Sequence, residues 1–371
     1  MKRFGAGSAA ATALLLSVLV LTGCAGPRVR LTPDEAAACK PFASPREIRI
    51  LTINVWSGLT YEGTLSVGRY ADQPEKRYEA LAAAIRELSP DIIAIQEANP
   101  LPDYAERLAA DLDYRVIYAV ALGGIRLGPV GVPWNLREGN ALLVKKPWTV
   151  VEVAKARLGG WGIATNWLCF HFADMTQGLI CRVVVNGKPL YVCNAHLHSG
   201  PFHGPAFDKA LARLAMEVPA KALAGARQRA EDDIARRNTE LHNLNGFLGE
   251  TLPSGAPAVL LGDFNTTRES GELEWLFTGG RWLDSFVAAN PGADGPTWDP
   301  AHNPNISLQA PTADPYGRLC HYQDSHPSRL DLILLSNVPR ERVVQSRVVL
   351  TRRSDGFCAS DHYGVVTTLM W

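Results

Sequence analysis

Eleven short runs rich in Val, Ile and Leu, several of which close on a polar residue, constrain this chain more than any other feature. They are Ile48–Val55, Ile92–Gln96, Tyr114–Val120, Asn140–Val144, Thr149–Ala156, Leu179–Val185, Leu190–His196, Ala258–Asp263, Leu330–Leu335, Val343–Leu350 and Tyr363–Thr368. Runs of this length and composition read as β-strands. Amphipathic spacing predicts helices over Glu75–Leu88, Asp103–Asp111, Ala206–Leu248 with a break near Pro219, and Glu272–Thr278. Many strands with few helices between them predict an α/β fold of two stacked sheets with helices outside. The chain has 371 residues, 47% of them hydrophobic and 20% charged, so a packed core is expected and long disorder is not. No repeat or linker interrupts the pattern after Pro45, which predicts one domain over residues 46–371.

The first forty-five residues read differently. Lys2 and Arg3 precede an apolar stretch from Ala9 to Leu21, the charged and apolar regions of a secretory signal, too short to favour a membrane span. Leu21-Thr22-Gly23-Cys24 resembles the bacterial lipobox, which implies cleavage after a 1–23 signal peptide and lipidation of Cys24. The expected location is the cell envelope, by lipid anchor. Ala25 after the cysteine resembles the pattern sorted to the outer membrane. Residues 24–45 carry Pro27, Pro33, Pro41 and Pro45 and read as a tether. The whole chain is formally neutral, and loss of Lys2 and Arg3 leaves a mature charge of −2. That argues against gripping long nucleic acid by bulk electrostatics.

Export bears on the cysteines. Apart from Cys24 an even number remains, Cys39, Cys169, Cys181, Cys193, Cys320 and Cys358, and disulfides suit an oxidising compartment. Cys169 and Cys181 flank a polar stretch, Ala173–Gln177, which leaves two readings: a bridge across a hairpin, or two buried thiols. The arginines of the long helical region, Arg227, Arg229, Arg236 and Arg237, stand among acids and read as a solvated helix face. Gly123–Trp134 and Gly159–Phe172 read as loops, over the site or simply packed.

The strand ends carry the chemistry. Asn54, Glu97, His196, Asp263 with Asn265, and Asp361-His362 each stand at the end or start of an apolar run. A rigid sheet can hold several such groups at one cleft. Glu97, Asn54 and Asp263 offer oxygen donors of the kind Mg²⁺ takes, and His196 and His362 exchange protons near neutral pH. Asp331, at the start of a buried run, is a candidate to orient His362. This set suits phosphoester hydrolysis.

Six blocks in order, Thr52-Ile53-Asn54, Ile95-Gln96-Glu97, Asn194-Ala195-His196-Leu197, Gly262-Asp263-Phe264-Asn265, Arg329-Leu330-Asp331 and Ser360-Asp361-His362, resemble the endonuclease/exonuclease/phosphatase superfamily. The resemblance implies a four-layer α/β sandwich of two packed, mostly antiparallel sheets flanked by helices. It further implies that Asn54 and Glu97 hold Mg²⁺, with Mn²⁺ as an alternative, and that Asp361 lies beside the metal. On the same pattern His362 paired with Asp331 activates water, Asp263 and Asn265 position water and phosphate, and His196 stabilises the phosphoryl group. The acid and base roles of the two histidines are not separable from sequence. Glu138 corresponds to the acid that pairs with the first histidine in the deoxyribonuclease branch.

Gly295-Pro296-Thr297-Trp298-Asp299-Pro300 resembles a block of the sphingomyelinase-like branch, which implies a lipid head-group phosphodiester as substrate. His198 stands where a glutamine is expected after the histidine block, a departure from that branch. Trp134, Trp161 and Trp167 suit a membrane interface if exposed. Three classes follow: a monomeric lipid-directed phosphodiesterase, a surface-anchored nuclease, and a non-catalytic interaction protein.

Overall fold

The computed structural model describes residues 46–61, 67–69, 73–122, 126–127, 130–131, 138–164, 169–307, 313–351 and 356–371. The signal peptide, the tether, Cys24, Trp134 and Trp167 lie outside the described residues. In chain order the strands are β1 (Glu47–Asn54), β2 (Leu59–Tyr61), β3 (Val67–Arg69), β4 (Ile92–Ala98), β5 (Tyr114–Leu122), β6 (Arg126–Leu127), β7 (Val130–Gly131), β8 (Glu138–Lys145), β9 (Thr149–Ala164), β10 (Cys169–Val185), β11 (Lys188–His196), β12 (Ala258–Asp263), β13 (Leu283–Asp284), β14 (Asp331–Ser336), β15 (Val343–Val349) and β16 (Gly364–Met370). The helices are α1 (Pro74–Leu88), α2 (Asp103–Leu112), α3 (Pro205–Ala215), α4 (Ala220–Thr251), α5 (Glu274–Phe277), α6 (Ser285–Ala289), α7 (Pro304–Ser307) and α8 (Pro315–Asp324).

Twelve of the strands form two six-stranded sheets, in the orders β15-β16-β1-β4-β8-β5 and β13-β14-β12-β11-β10-β9. Each sheet has one parallel pair at its centre, β1 with β4 and β11 with β12, and its other neighbours are antiparallel. A parallel pair needs a crossover, usually helical; α1 supplies the first, and α3 with α4 the second.

Strand alternation sorts side chains into layers. Ile48 and Ile50 of β1, Ile92 and Ala94 of β4, Leu190 and Val192 of β11, Val259 and Leu261 of β12, and Ile333 and Leu335 of β14 meet in the core between the sheets. Their opposite-parity neighbours pack outward. Leu51, Ile53, Ile93 and Ile95 meet α1 and α2, and Cys193, Ala195, Leu260, Leu332 and Leu334 meet α4 and α5. The result is the four-layer α/β sandwich. Each fully buried Leu or Ile contributes about 1.5–3 kcal/mol, and a one-residue slip would turn a whole strand inside out. Register is therefore fixed on both faces.

Asn54, His196, Asp263 and Asp331 have the parity of the inter-sheet core, two or four residues beyond its apolar members. The core continues into a polar stratum first: Gln96 Nε2 donates to Asn194 Oδ1 at 2.7 Å, and Asn194 Nδ2 donates to the Ile95 and Ala141 carbonyls. Beyond that stratum the cleft opens.

Several expectations are corrected. Ala173–Gln177 is not a turn: β10 runs through it with irregular register against β9. Cys169 and Cys181 thus lie twelve residues apart on one strand, a separation of roughly 40 Å at strand rise, and do not bridge a hairpin. Cys181 is a buried free thiol, and burial pushes its pKa above the usual thiol range. Gly159–Phe172 is mostly strand, extending the β9–β10 hairpin. The long helical region divides at Pro219, where proline caps α4. Its arginines are not a solvated face throughout, since Arg237 is completely buried. Among the described residues no helix is long and apolar enough to cross a membrane.

Candidate functional site

The carboxyl ends of both parallel pairs open at the same edge of the sandwich. Asn54 and Glu97 come from one pair and His196 and Asp263 from the other. The antiparallel neighbours β14 and β16 begin at that edge, which places Asp331 directly opposite Asp263 and His362 just ahead of β16. Eight expected residues from six strand ends thereby converge.

Asp263 is the hub and is wholly buried. Its Oδ2 accepts from Asn54 Nδ2 at 2.9 Å and lies 3.6 Å from His196 Nε2 and 3.8 Å from His362 Nε2. Its Oδ1 accepts from the Asn265 amide at 2.9 Å. That bond helps hold Asn265 in a left-handed conformation at φ 51°, from which its Nδ2 reaches the Leu197 carbonyl at 2.8 Å and His196 Nε2 at 3.2 Å. Gly262, with φ +137°, lets the loop start: a Cβ there would sit 1.8 Å from the Ala195 carbonyl oxygen.

Glu97 reaches the cleft against its strand parity. Continuing the alternation of β4 would send it toward the helices with Ile93 and Ile95. Instead its backbone is left-handed, φ 56°, and the β4–β8 register shifts between Ile95 and Ala98. Such irregularities re-aim a side chain and are stored at functional sites. Its carboxylate accepts from Asn54 Nδ2 at 2.9 Å and from the Ser57 amide and hydroxyl at 3.0 and 3.2 Å.

His362 Nδ1 lies 2.8 Å from Asp331 Oδ2, both residues being buried. Burial would push the His362 pKa down, but the Asp331, Asp263 and Asp361 carboxylates outweigh it and hold the pKa well above the ordinary value. Burial raises the Asp331 carboxyl, against the pull of His362. Asp361 is pushed up to about 6, first by burial, with Glu97 among the groups adding to the rise.

That mutual repulsion between Asp361 and Glu97 is what a cation would relieve. Hard carboxylate oxygens from Glu97, Asp361 and Asp263 fit a divalent ion such as Mg²⁺. Asn54 Oδ1 accepts from the Trp56 amide at 2.9 Å, and its Nδ2 faces the carboxylates of Glu97 and Asp263 and bonds both. Donor atoms of Asp263, Asp331 and His362 also lie within 4.8 Å of one another, although the His362–Asp331 bond engages two of them with each other. Glu138 is buried at the start of β8. Nearest His196 Nε2 are Asn265 Nδ2 at 3.2 Å, Asp263 Oδ2 at 3.6 Å and Glu97 Oε1 at 3.9 Å.

The sequence reading missed the residues that brace this cleft. Ser57 caps Glu97. Arg77, buried on α1, donates to the Val55, Trp56 and Ala359 carbonyls and so ties the Asn54 loop to the Asp361 loop. Thr297 Oγ1 accepts from the Leu330 and Asp331 amides at 3.0 and 3.1 Å, and Tyr363 N donates to its carbonyl at 2.7 Å. Trp298 packs edge-on against His362, centroids 5.2 Å apart. Asn303 Nδ2 donates to the Ser360 and Asp361 carbonyls. Of these, Thr297 and Trp298, with Asn303 shortly after them, carried a signal in the sequence; Ser57 and Arg77 are single polar residues with no motif around them.

A sequence model of the Endonuclease/Exonuclease/phosphatase family matches residues 51–362. Among solved structures the fold is similar to D. rerio TDP2 humanized by 14 mutations, at 15% identity and TM-score 0.53, over 88% of this chain and 99% of that one. It is also similar to an endonuclease/exonuclease/phosphatase family protein from Leptotrichia buccalis C-1013-b, at 18% identity and TM-score 0.53, over 87% and 100%. A third is an endonuclease/exonuclease/phosphatase from Beutenbergia cavernae DSM 12333, at 20% identity and TM-score 0.51, over 88% and 72%. A comparison with curated proteins gave no match.

Proposed function

Since the chain belongs to the endonuclease/exonuclease/phosphatase family, we propose that it is a metal-dependent phosphodiesterase whose substrate is a lipid head-group phosphodiester, cleaved in the manner of a sphingomyelinase or phospholipase C. The observation that carries the hydrolytic reading is the convergence of two histidines, His196 and His362, and three further carboxylates, Glu97, Asp331 and Asp361, around Asp263. His362, oriented through Nδ1 by Asp331, presents Nε2 to take a proton from the attacking water. His196 and Asn265, 3.2 Å apart, offer hydrogen-bond donors to the phosphoryl oxygens, and Asn54 keeps the Glu97 and Asp263 carboxylates apart and aimed. A bound Mg²⁺ or Mn²⁺, held by Glu97 and Asp361, supplies charge neutralisation at the phosphoryl group and leaving oxygen.

Three features support a lipid substrate. The Thr297-Trp298 block stands against the Asp331–His362 pair, Trp161 is 55% exposed on the β9–β10 hairpin, and the lipobox predicts a chain anchored by Cys24 to the outer membrane, with residues 46–371 as a monomeric catalytic unit. A nuclease is the second reading, because one similar fold, D. rerio TDP2, is complexed with a single-strand DNA product. Against it, the α4 arginines, the local cluster of positive charge, are each paired with an acid: Arg227 with Glu231, Arg229 with Asp314, Arg236 with Glu240 and Arg237 with Glu272.

The test is phosphocholine release from sphingomyelin vesicles beside degradation of single-stranded DNA, with Mg²⁺ or EDTA, for the wild type and His362→Ala. Mg²⁺-dependent lipid cleavage with intact DNA, lost in the variant, is expected. DNA cleavage with untouched lipid would select the nuclease, and silence on both, extended to other phosphoesters, would favour the non-catalytic class. Fractionation of cells expressing Cys24→Ser checks the anchor: the variant should leave the membrane fraction.

A further inference from the structure

We propose that Arg237 and Glu272 are positioning residues that lock together the two loops carrying His196 and the Asp263–Asn265 pair, an inference that rests on the phosphodiesterase reading above. Arg237 projects from the middle of α4 and is fully buried. Its guanidinium forks onto Glu272, Nε to Oε2 at 2.9 Å and Nη2 to Oε1 at 3.0 Å. The remaining donors go to main-chain carbonyls: Nη1 to His198 and Gly200 at 3.3 and 3.2 Å, and Nη2 to Pro201 at 2.7 Å. All five N–H groups of the side chain are thus spent.

Those three carbonyls belong to the segment that leaves the cleft two residues after His196. The same helix grips it twice more. Asp233, one turn before Arg237, meets His198 Nε2 at 2.8 Å, and Glu240, nearly one turn after, accepts from the His198 amide at 2.7 Å. Gly200, with φ +130°, lies so near α4 that a Cβ would come within 3.1 Å of Asp233. On the other side, Glu272 Oε1 accepts from Thr266 Oγ1 at 2.9 Å, and Thr266 directly follows Asn265. Asn265 closes the circuit by donating to the Leu197 carbonyl and contacting His196 Nε2. A continuous ring therefore runs Arg237, Glu272, Thr266, Asn265, Leu197, His198 and back.

A buried ion pair of this kind seldom outdoes apolar packing in stability. What this pair adds is geometry: a planar five-donor fork that fixes two loops relative to each other, which a lysine ammonium cannot reproduce. The groups so fixed, His196 and Asn265, are those assigned to the phosphoryl oxygens. Neither Arg237 nor Glu272 touches substrate in this arrangement.

The test uses bis(p-nitrophenyl) phosphate with Mg²⁺ as the probe, and the wild type, Arg237→Lys, Glu272→Gln and the surface control Arg229→Ala. Outer-shell substitutions commonly lower activity by about 10–100-fold, and that loss is expected in kcat, with KM within about threefold, for the Lys and Gln variants only. Amide exchange at 197–201 and 264–272 should quicken in both while the central strands stay protected. Because Glu272→Gln and Asn265→Ala act through one loop, their combined loss in kcat should fall short of the product of the single losses. Wild-type kcat in both variants, or faster exchange spread over the whole fold, would overturn the proposal. A wild type that fails on the probe, or His362→Ala matching it, defeats the phosphodiesterase reading instead. In that case the exchange experiment still decides the lock: unchanged protection at 197–201 removes it.

Discussion

Replacing Asp331 by Asn keeps the shape of the side chain and removes its charge, so it tests the His362–Asp331 pair without opening a cavity. In the wild type the carboxylate accepts from His362 Nδ1 at 2.8 Å, and both side chains are buried. Accepting a proton at Nε2 turns His362 into an imidazolium, which Asp331 stabilises by a buried, charge-assisted bond. Breaking one partner of a buried pair costs about 3–5 kcal/mol. The Asp263 carboxylate, 3.8 Å from Nε2, remains as a second counter-charge, which places the loss toward the low end. At 1.36 kcal/mol per decade, an increment of about 3 kcal/mol lowers kcat by about 10²-fold. The assay is Mg²⁺-dependent turnover of bis(p-nitrophenyl) phosphate across pH. With the partner neutral, the pKa of His362 falls, so the rate limb that reports its deprotonation should move to lower pH. A kcat within tenfold of the wild type, or a limb that stays put, would refute the assignment of His362 as the base oriented by Asp331.

Three further outcomes follow from the same geometry. His362 and Asp361 both have raised pKa values in the fold, Asp361 at about 6; a raised pKa means the folded chain binds protons more tightly than the unfolded one, so stability present at low pH is lost as pH rises through the folded pKa. Thermal melts in EDTA should accordingly fall from pH 5 to pH 8, and Mg²⁺ should raise the melting temperature more at pH 8 than at pH 5; a flat or inverted trend contradicts the carboxylate cluster. Thr297→Val removes the acceptor of two buried amides, each worth about 1–3 kcal/mol when orphaned, so urea denaturation should show a loss of about 2–4 kcal/mol, with kcat reduced through Asp331. Gly262→Ala puts a methyl 1.8 Å from the Ala195 carbonyl at a φ that disfavours any side chain, and expression in soluble form should fail or stability drop by more than about 3 kcal/mol.

Much of this was legible in the residues because strands obey a period of two. Asn54 falls in phase with Ile48 and Ile50, His196 with Leu190 and Val192, and Asp263 with Val259 and Leu261, so a polar residue extending the inner parity at a strand end points to the cleft. Glu97 breaks that rule, since only a left-handed residue and a shifted register turn it inward, and no pattern in Ile-Ile-Ala-Ile-Gln-Glu announces either. The bracing residues were invisible for a related reason. Ser57 acts on the Glu97 carboxylate and Arg77 on backbone carbonyls, partners far off in sequence to which pattern reading has no access. Arg227 and Arg229 do lie on an exposed face, but Arg237 was misread, because charged i, i+4 spacing looks the same on a solvated face as on one that reaches beneath a loop. Short helices α6 and α8, each with an Asp side chain accepting from first-turn amides, carried only five and ten residues of weak periodicity.

The two sheets repeat one design, and the repeat explains why the site is where it is. Each places a parallel pair at its centre, flanked by antiparallel strands, and the parallel pair ends at the cleft while its antiparallel neighbour begins there. Groups at the ends of parallel strands and the starts of their neighbours are therefore brought to one edge twice over, once per sheet. Facing the sheets across the inner core superimposes the two edges, so that Asn54 of one sheet bonds Asp263 of the other at 2.9 Å. No loop has to travel to assemble the cluster. The positions are set by strand register, which the core on both faces fixes, and the loops need only be held, by Arg77 and Thr297 around His362 and by Arg237 and Glu272 around His196. A group on a rigid strand end loses little precision to motion, and the frame holds carboxylates that repel one another, Asp331 with Asp263 and Asp361 with Glu97. The strain expressed in the Glu97 and Asn265 backbones is then a consequence of packing the cluster, borne by the two sheets that surround it.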